Sequence, residues 1–266
     1  LLSGTKTETG ELTGMGTFTR TTTWHLERSS PNDVELIVKP ENYDSWLPEP
    51  GRTENTVGSI LNVSLKIQGR NGTTTTKKAK SFQLKLSNTS SEPGITINYP
   101  VNSTNKSSDL KFLSQPRSVM MDTANQTMKI ICTPSVQAAS FKIGSYDGGG
   151  WTILNVEAML DDNSTIQGRL LVSNGEVDIR IPKREPNSHI AEAWLKDYGN
   201  RGDMDDNEIT PNGNTNNGDG LTAYEEYRGV VAEGEFKRLK PTKKEVGIVA
   251  TQTDFLLFDE GITWFK

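Results

Sequence analysis

The residues with the clearest capacity for chemistry lie in an acidic, glycine-rich stretch between Asp203 and Glu226. Carboxylates and side-chain amides crowd around glycines there, and a helix-forming segment with two glutamates follows directly. Calcium takes about six to eight oxygen ligands from a sharply turning backbone, and a bidentate glutamate completes the loop. The stretch therefore predicts a structural calcium site.

The end of this stretch can be aligned with a twelve-residue calcium loop by placing Gly220 at the invariant glycine of about position 6. Asn217 and Asp219 then take the two preceding side-chain ligand positions. Leu221 offers its backbone carbonyl, and Glu226 takes the place of the bidentate carboxylate. The D-G-L-T-x-Y-E-E register is the reason for preferring a metal site over a plain linker.

The first ligand position departs from this pattern, because it is occupied by Thr215. An earlier acidic alternation is expected to supply the missing carboxylates if the loop folds back. The alternative is a solvated polar linker, since runs of Asn, Gly and Asp usually form loops. The predicted Ca²⁺ ligands are Asp203, Asp205, Asp206, Asn207, Asn217, Asp219, Leu221 and Glu226.

Composition bounds the classes of protein that this chain can represent. It has 266 residues, 33% of them hydrophobic, and much of the remainder is Thr, Ser, Asn and Gly. This mixture favours antiparallel sheets and their turns over helical bundles. A formal net charge of −5 provides no basic footprint for nucleic acid. No stretch approaches the ~18 consecutive apolar residues that a membrane span requires.

Residues 32–185 contain short strand-like runs bounded by turn residues. Several alternate between apolar and polar side chains, so that one face of each strand can pack on a core. This pattern predicts a mainly β fold with an immunoglobulin-like β-sandwich. The predicted runs are Val34–Lys39, Ile60–Gln68, Ser81–Ser87, Ile95–Tyr99, Leu110–Leu113, Thr127–Thr133, Ser140–Ser145, Trp151–Leu160, Thr165–Val172 and Val177–Ile181.

The regions on either side have a different character. Residues 1–31 are rich in Thr and Gly, and Thr17–Trp24 alternates like one strand that needs a partner elsewhere. Residues 236–266 begin with a basic patch, interpreted as a solvated connector, and return to strand character. The predicted tail strands are Val246–Thr251, Phe255–Phe258 and Ile262–Phe265.

Residues 186–235 are predicted to form an EF-hand-like helix-loop-helix element. Ser188 is the expected N-cap of a first helix with an apolar stripe that includes Ile190 and Trp194. A second short helix follows the acidic loop over Leu221–Tyr227 and ends at Gly229.

Signals of catalysis are weak in this sequence. The lone Cys132 excludes an internal disulfide and is interpreted as a buried, inert thiol. His189 falls in the first turn of the predicted helix, where a surface or capping role is expected. The run Gly148–Gly150 is interpreted as a turn between strands. A pair of carboxylates for glycoside hydrolysis remains an open alternative, because two such residues are brought together by the fold and need not be close in the sequence.

Seven Asn-x-Ser/Thr sequons occur, and we interpret them as a consequence of composition, with glycan acceptors as the alternative. Their asparagines are Asn62, Asn71, Asn88, Asn102, Asn105, Asn125 and Asn163.

Asp219–Glu226 resembles the D-G-L-T/S-x-x-E-E signature of thrombospondin type 3-like and EF-hand-like calcium repeats in exported bacterial proteins. The wider stretch from Ile181 to residue 244 is similar to a poorly characterised group of such proteins, in which an immunoglobulin-like β-region precedes the calcium element. The resemblance implies calcium binding and export, and it implies no defined activity.

These observations predict a non-enzymatic secreted or cell-surface module, stabilised by calcium, within a larger bacterial protein. It is expected to be extracellular or in the cell envelope, to bind an unidentified protein or surface partner, and not to bind nucleic acid. One alternative is the non-catalytic region of an exported, metalloprotease-like hydrolase. The other is a carbohydrate- or surface-binding module.

Overall fold

The fold is mainly β, as the sequence predicts. A computed structural model describes residues 2–12, 16–26, 34–53, 55–93, 98, 104, 106–114, 119–171, 175–205, 220–232, 235–247 and 262–265. The two α-helices of these residues are α1 (Glu192–Tyr198) and α2 (Ala223–Arg228), and Arg70–Gly72 forms a 3-10 turn. No helix in this part of the chain is long and apolar enough to cross a membrane.

The strands of the described residues are β1 (Leu2–Leu12), β2 (Gly16–Leu26), β3 (Val34–Pro40), β4 (Ile60–Gly69), β5 (Ala79–Ser87), β6 (Leu110–Phe112), β7 (Val119–Asp122), β8 (Thr127–Val136), β9 (Ala138–Ser145), β10 (Thr152–Leu160), β11 (Thr165–Leu170), β12 (Ile179–Ile181), β13 (Val230–Ala232), β14 (Glu235–Lys237), β15 (Lys244–Gly247) and β16 (Ile262–Phe265).

Ten of these strands form one sheet, in the order β6-β9-β4-β3-β11-β10-β5-β8-β7, with β12 beside β10. Each pair in this sheet is antiparallel except β11 with β3. We call β6, β9, β4 and β3 the first half of the sheet, and β10, β12, β5, β8 and β7 the second half. Strand β11 joins the two halves.

Strand β11 changes partner in its middle. Residues 165–167 pair with β10, whereas Gly168–Leu170 pair with β3. A Cβ atom on Gly168 would lie 2.7 Å from Val38 Cγ2 and 3.0 Å from Val156 Cβ. The backbone at this crossing therefore approaches strands of both halves more closely than any residue with a side chain allows.

The apolar faces of the two halves form one core. Alternation places Leu61, Val63 and Leu65 of β4 inside, and the same pattern on β5 buries Phe82 and Leu84. These side chains belong to a single hydrophobic cluster that draws on both halves and on Leu170 of β11. Each fully buried aliphatic side chain contributes about 1.5–3 kcal/mol, so the alternation is the main source of stability.

Most predicted strands are confirmed with small shifts at their ends. Strand β7 was not predicted, because Val119–Asp122 is a short run at the edge of the sheet. The predicted strand Phe255–Phe258 and, apart from Asn98, the predicted strand Ile95–Tyr99 lie outside the described residues. The expected tail strand from Val246 begins earlier, as β15, and its later part is also outside them.

The partner of the N-terminal alternating strand is the segment immediately before it. Strands β1 and β2 form an antiparallel hairpin that is separate from the ten-stranded sheet. Its register places Thr7 opposite Thr21 and Thr9 opposite Thr19, and all four side chains are exposed. The Thr-rich composition of this region thus corresponds to a hydroxyl-bearing strand face.

Turn geometry accounts for several sequon asparagines. Asn71, Asn88 and Asn163 have φ values of 60°, 49° and 68°, and each is exposed at a strand end or turn. Asparagine tolerates this left-handed conformation better than most residues with a side chain. A structural reason for these three asparagines therefore exists without glycosylation.

One side chain differs from the sequence-based expectation. Cys132, interpreted from the sequence as buried, is only partly buried against the core because β8 lies near the edge of the sheet. Burial raises the pKa of its thiol, which keeps the group protonated. Trp46 is half-buried against the same core.

Replacement of Gly168 by valine tests the crossing of β11. The added side chain meets Val38 and Val156, so we expect a loss of about 1–3 kcal/mol from overpacking. Urea unfolding of Gly168→Val measures this loss, and Gln167→Ala on the exposed neighbouring residue is the control. Equal stability of the two variants would contradict the proposed close approach.

Candidate functional site

The two described ends of the acidic segment lie together at the start of α2. The backbone N–H of Ala223 donates to the carbonyl of Asp205 at 2.8 Å, and that of Tyr224 donates to the carbonyl of Asp203 at 3.0 Å. Asp203 and Asp205 therefore lie next to the first turn of α2, and this proximity is a condition of the calcium hypothesis. These contacts involve the backbone and not the side chain of Asp205. Its carboxylate is exposed and accepts a hydrogen bond from the N–H of Gly202 at 2.7 Å.

The carboxylate of Asp203 is engaged by the segment before α1. It accepts hydrogen bonds from Ser188 Oγ at 2.8 Å and from the N–H of His189 at 3.0 and 3.1 Å. His189 Nδ1 lies 2.8 Å from the other carboxylate oxygen. Three donor groups thus converge on a side chain that is 19% exposed.

This arrangement corrects the predicted start of the first helix. The N-cap of α1 is Ala191, without a side-chain cap, rather than Ser188. Ser188 Oγ instead accepts from the N–H of Ile190 and donates to Asp203. His189 consequently precedes the helix. Because Ser188 donates to Asp203 and not to the imidazole, these three residues lack the contact that activates a serine nucleophile.

The remaining predicted ligands are divided between described and undescribed residues. Leu221 is half-buried beside the start of α2, and Glu226 is 2% exposed on the inward face of this helix. Asp206, Asn207, Asn217 and Asp219 lie outside the described residues. Among the residues whose placement is described, no group of three or more His, Cys, Asp or Glu is arranged to hold a metal ion.

Part of the predicted calcium signature forms the start of α2. Thr222 Oγ1 accepts from the N–H of Glu225 at 3.2 Å, and a Glu225 carboxylate oxygen accepts from the N–H of Thr222 at 2.8 Å. This reciprocal capping box stabilises a helix start, and such caps contribute about 1 kcal/mol. The T-x-x-E spacing could have identified it from the sequence. The helix ends at Gly229, as predicted.

Helix α2 packs on α1 through a second hydrophobic cluster. Ile190, Trp194, Ala223 and Tyr227 are buried in it. The predicted burial of Ile190 and Trp194 is confirmed, but Ile190 precedes α1. The Trp194 and Tyr227 rings meet edge to face at 5.7 Å between centroids. Leu47, from the loop after β3, packs against the same cluster and connects it to the β-region.

The glycine run between β9 and β10 is the surface on which α2 rests. A Cβ atom on Gly148 would lie 2.1 Å from the carbonyl oxygen of Arg228 and 2.7 Å from the Phe236 ring. The hydroxyl of Tyr224 donates to the Gly149 carbonyl at 3.1 Å. The interpretation of Gly148–Gly150 as a turn between strands is confirmed, and close packing against α2 is the physical reason for the glycines.

A bidentate ion pair closes this contact. Arg228 Nε and Nη2 lie 2.9 and 2.8 Å from the two carboxylate oxygens of Asp147. The Asp147 side chain is 6% exposed, and Arg228 also donates to the carbonyl of Pro93. A charge this buried needs its partner, because an unpaired carboxylate in the interior is strongly destabilising.

Two further arginines contact the same region. Arg238 donates to the carbonyls of Gly148, Tyr227 and Pro48, and its guanidinium lies 4.6 Å from the centroid of the Tyr227 ring. The predicted basic patch is therefore only partly a solvated connector, since Arg238 turns inward and Leu239 is buried. We call the contact region formed by residues 147–151, Arg184, α2 and Arg238 the junction.

Aromatic stacking completes the junction on its other side. The rings of Trp151 and His189 stack at 4.3 Å between centroids and 20° between planes. Arg184, which is 5% exposed, lies 5.1 Å from the Trp151 centroid and donates to the carbonyl of Ser188 at 2.8 Å. The arrangement therefore holds residues 184–189, which contact Asp203, against the β9–β10 loop.

A second buried carboxyl group lies near the ion pair. Asp109 is fully buried and accepts from the N–H of Glu92 at 2.9 Å and from Asn98 Nδ2 at 3.3 Å. Burial, reinforced by the charge of Asp147, raises the pKa of Asp109 to about 7. The group is therefore neutral in mild acid and becomes charged above neutral pH.

Comparisons with known proteins leave the family open. No family model and no curated protein matches the chain. Among solved structures, two fragments of the human F-spondin reeler domain are 10% and 12% identical, with TM-scores of 0.35 and 0.31. They cover 56% and 60% of this chain and 89% and 94% of their own. The Reelin-N domain of F-spondin is 8% identical, with a TM-score of 0.32. The match covers 59% of this chain and 91% of that domain. Likeness at this level carries no conclusion about function.

Removal of the guanidinium of Arg228 tests the ion pair. Arg228→Met leaves Asp147 charged and buried, and we expect a loss of about 3–5 kcal/mol. Denaturant unfolding measures the loss, and Arg52→Met at an exposed position is the matched control. A loss below that of the control would show that the pair is not required.

The buried Asp109 predicts a dependence of stability on pH. The ordinary pKa of 3.8 is raised in the folded chain to about 7, so folding binds a proton between these values. The free energy of unfolding should fall as pH rises across this window, by at most about 1.4 kcal/mol per pH unit. Urea unfolding between pH 5 and pH 8 measures the slope.

Asp109→Asn is the matched variant for this experiment, because an amide mimics the protonated acid. It should remove most of the slope between pH 5 and 7, whereas Asp197→Asn on the exposed face of α1 should leave it unchanged. A slope that persists in Asp109→Asn would assign the proton to another group.

Proposed function

We propose that this chain is a non-enzymatic, calcium-stabilised β module of a larger exported bacterial protein. The observation that carries the proposal is that the two described ends of the acidic segment lie together. The carbonyls of Asp203 and Asp205 accept hydrogen bonds from backbone N–H groups in the first turn of α2. Calcium binds where oxygen ligands from both ends of a loop converge beside a helix.

The ion would bind oxygen ligands from residues 206–219 and from the described residues on both sides of them. Asp205 is the stronger described candidate, because its carboxylate is exposed and its described contact is a hydrogen bond from the N–H of Gly202. Asp203 is weaker, since its oxygens already accept from Ser188 and His189. The other proposed ligands are Asp206, Asn207, Asn217, Asp219, the Leu221 carbonyl and Glu226. The bound ion would neutralise the mutual repulsion of the carboxylates and order the loop.

The non-enzymatic part of the proposal is supported by how the junction uses its polar groups. The carboxylate of Asp147 and the hydroxyl of Tyr224 both serve packing contacts between α2 and the β9–β10 loop. The contacts of Ser188 and His189 with Asp203 position the chain before α1. We further propose that the β-region has an immunoglobulin-like fold, because the two halves of its sheet pack around one core.

The proposed calcium site is the argument for export. A site with a weak first position requires the calcium concentrations of extracellular fluid, which exceed those of the cytosol. We therefore propose an extracellular or cell-envelope location and a protein or surface partner.

Chelation tests the calcium site. A ligand that binds only the folded state stabilises it, by about 2.7 kcal/mol when its concentration is one hundred times Kd. Addition of calcium to the chelator-treated 266-residue chain should raise the melting temperature, and Asp219→Ala should abolish most of the increase. Asp197→Ala, outside the loop, should retain it. A melting temperature that does not respond to calcium would refute the metal site.

Limited proteolysis locates the ordered segment in the same samples. Without calcium, cleavage should fall between about residues 199 and 217, because this stretch has few apolar side chains to bury. The β-region should stay resistant. Cleavage that begins in the strands would place the ion elsewhere.

A further inference from the structure

A cleft of about 610 Å³ lies between the two free edges of the ten-stranded sheet. Strand β6 forms one end of the sheet order and β7 the other, and the cleft is lined by residues of both. Its volume is within the ~300–1,000 Å³ that is typical of small-molecule sites. None of the described residues of the candidate calcium segment lines it.

One wall of the cleft is basic. Lys111 is half-buried, with its ammonium 3.3 Å from Ser107 Oγ and 4.7 Å above the centroid of the Tyr146 ring. The exposed Lys106 lines the same wall. Burial lowers the pKa of Lys111, although the carboxyl group of Asp109 opposes the shift. An anionic group beside this ammonium would offset its loss of hydration.

The opposite wall limits the charge of the ligand. Asp122 accepts from the N–H and Nδ2 of Asn125, at 3.1 and 2.7 Å, and these bonds lower the pKa of its carboxyl group. Asp122 therefore remains negative and repels a ligand that carries several negative charges. A single carboxylate can reach Lys111 on the opposite wall, whereas a polyanion would also meet Asp122.

The rest of the lining favours a hydroxylated ligand. Ser107, Ser108 and Thr127 contribute hydroxyl groups, and Gln126 contributes an amide that is held in place by its 3.2 Å hydrogen bond to the Leu110 carbonyl. Phe112, Met121 and Tyr146 provide the smaller apolar part of the surface. A sugar ring combines hydroxyl groups with apolar faces in the same way.

We propose that the cleft between β6 and β7 binds a small, singly carboxylated sugar, with the ammonium of Lys111 paired to its carboxylate. The free sugar acid and a terminal sugar acid on an otherwise neutral glycan share this chemistry. The site is independent of the calcium proposal, and its binding should persist in chelator.

Calorimetric titration of the 266-residue chain with D-galacturonate, in chelator, tests the proposal. Galacturonate should bind, and neutral D-galactose should bind at least about tenfold more weakly, a difference of about 1.4 kcal/mol. Added salt should weaken the binding of galacturonate, because the pair is open to solvent. Equal binding of the two sugars, or none by galacturonate at millimolar concentration, would overturn the proposal.

Lys111→Met supplies the variant test, since methionine keeps an apolar stem against Tyr146 but removes the charge. It should weaken galacturonate binding about tenfold, while Lys142→Met, exposed on the adjacent β9 and outside the cleft, should not change it. Melting curves verify that both variants are folded. Unchanged affinity in folded Lys111→Met would refute the pairing; if this variant does not fold, the comparison of the two sugars decides.

Two further ligands define the chemical class. N-acetylalanine, which carries one carboxylate and no sugar ring, would overturn the assignment to sugars if it binds as tightly as galacturonate. An oligosaccharide with one terminal galacturonate and otherwise neutral units that binds at least as tightly as the monomer would identify a glycan end as the ligand, and weaker binding would identify the free sugar acid.

Discussion

The ion pair between Asp147 and Arg228 is the interaction on which the junction depends. Asp147 lies in the loop after β9, and its partner is 81 residues later in the chain. Because the carboxylate is 6% exposed, its burial without the guanidinium would be strongly destabilising. The loop and α2 must therefore be ordered together. The close approach at Gly148, the Tyr224 hydroxyl bond and the inward turn of Arg238 all require the same docked position. Helix α2 is thus packed directly against the β9–β10 loop of the β-region.

Local pattern was sufficient for most strands and insufficient for their arrangement. Alternation in β4 and β5 identifies which side chains enter the core, because each strand buries every second residue. The crossing of β11 from one half of the sheet to the other has no such signal. Its evidence in the sequence is one glycine, Gly168, and the need for that glycine appears only when Val38 and Val156 are both adjacent. Strand β7 was missed for a related reason, since an edge strand with exposed Met120 lacks a clear apolar face.

The candidate site divides in the same way. The burial of Ile190 and Trp194 and the end of α2 follow from spacing and from ordinary helix signals. The contacts made by Asp203, Asp147 and the three arginines do not, because the partner of a charged side chain is determined in space. Ser188 shows the limit of spacing. Its position before an apolar stripe is typical of an N-cap, but Asp203 offers its hydroxyl a stronger acceptor, and the helix begins later.

The D-G-L-T-x-Y-E-E motif has a structural role in addition to the proposed metal-binding role, and the sequence alone cannot separate the two. Thr222 and Glu225 form the capping box, Tyr224 bonds to Gly149, and Glu226 faces inward, so half of the motif is explained by the docking of α2. The information specific to a metal is concentrated in Asn217 and Asp219 and in the carboxylates near Asp205. Contacts that involve no metal ion hold α2 at the junction, and the carbonyls of Asp203 and Asp205 accept hydrogen bonds from its first turn. Both described ends of the proposed calcium loop are therefore already fixed. A bound ion would have to fix only the residues between them, and this reduced entropic cost would favour calcium binding by a loop with a weak first position.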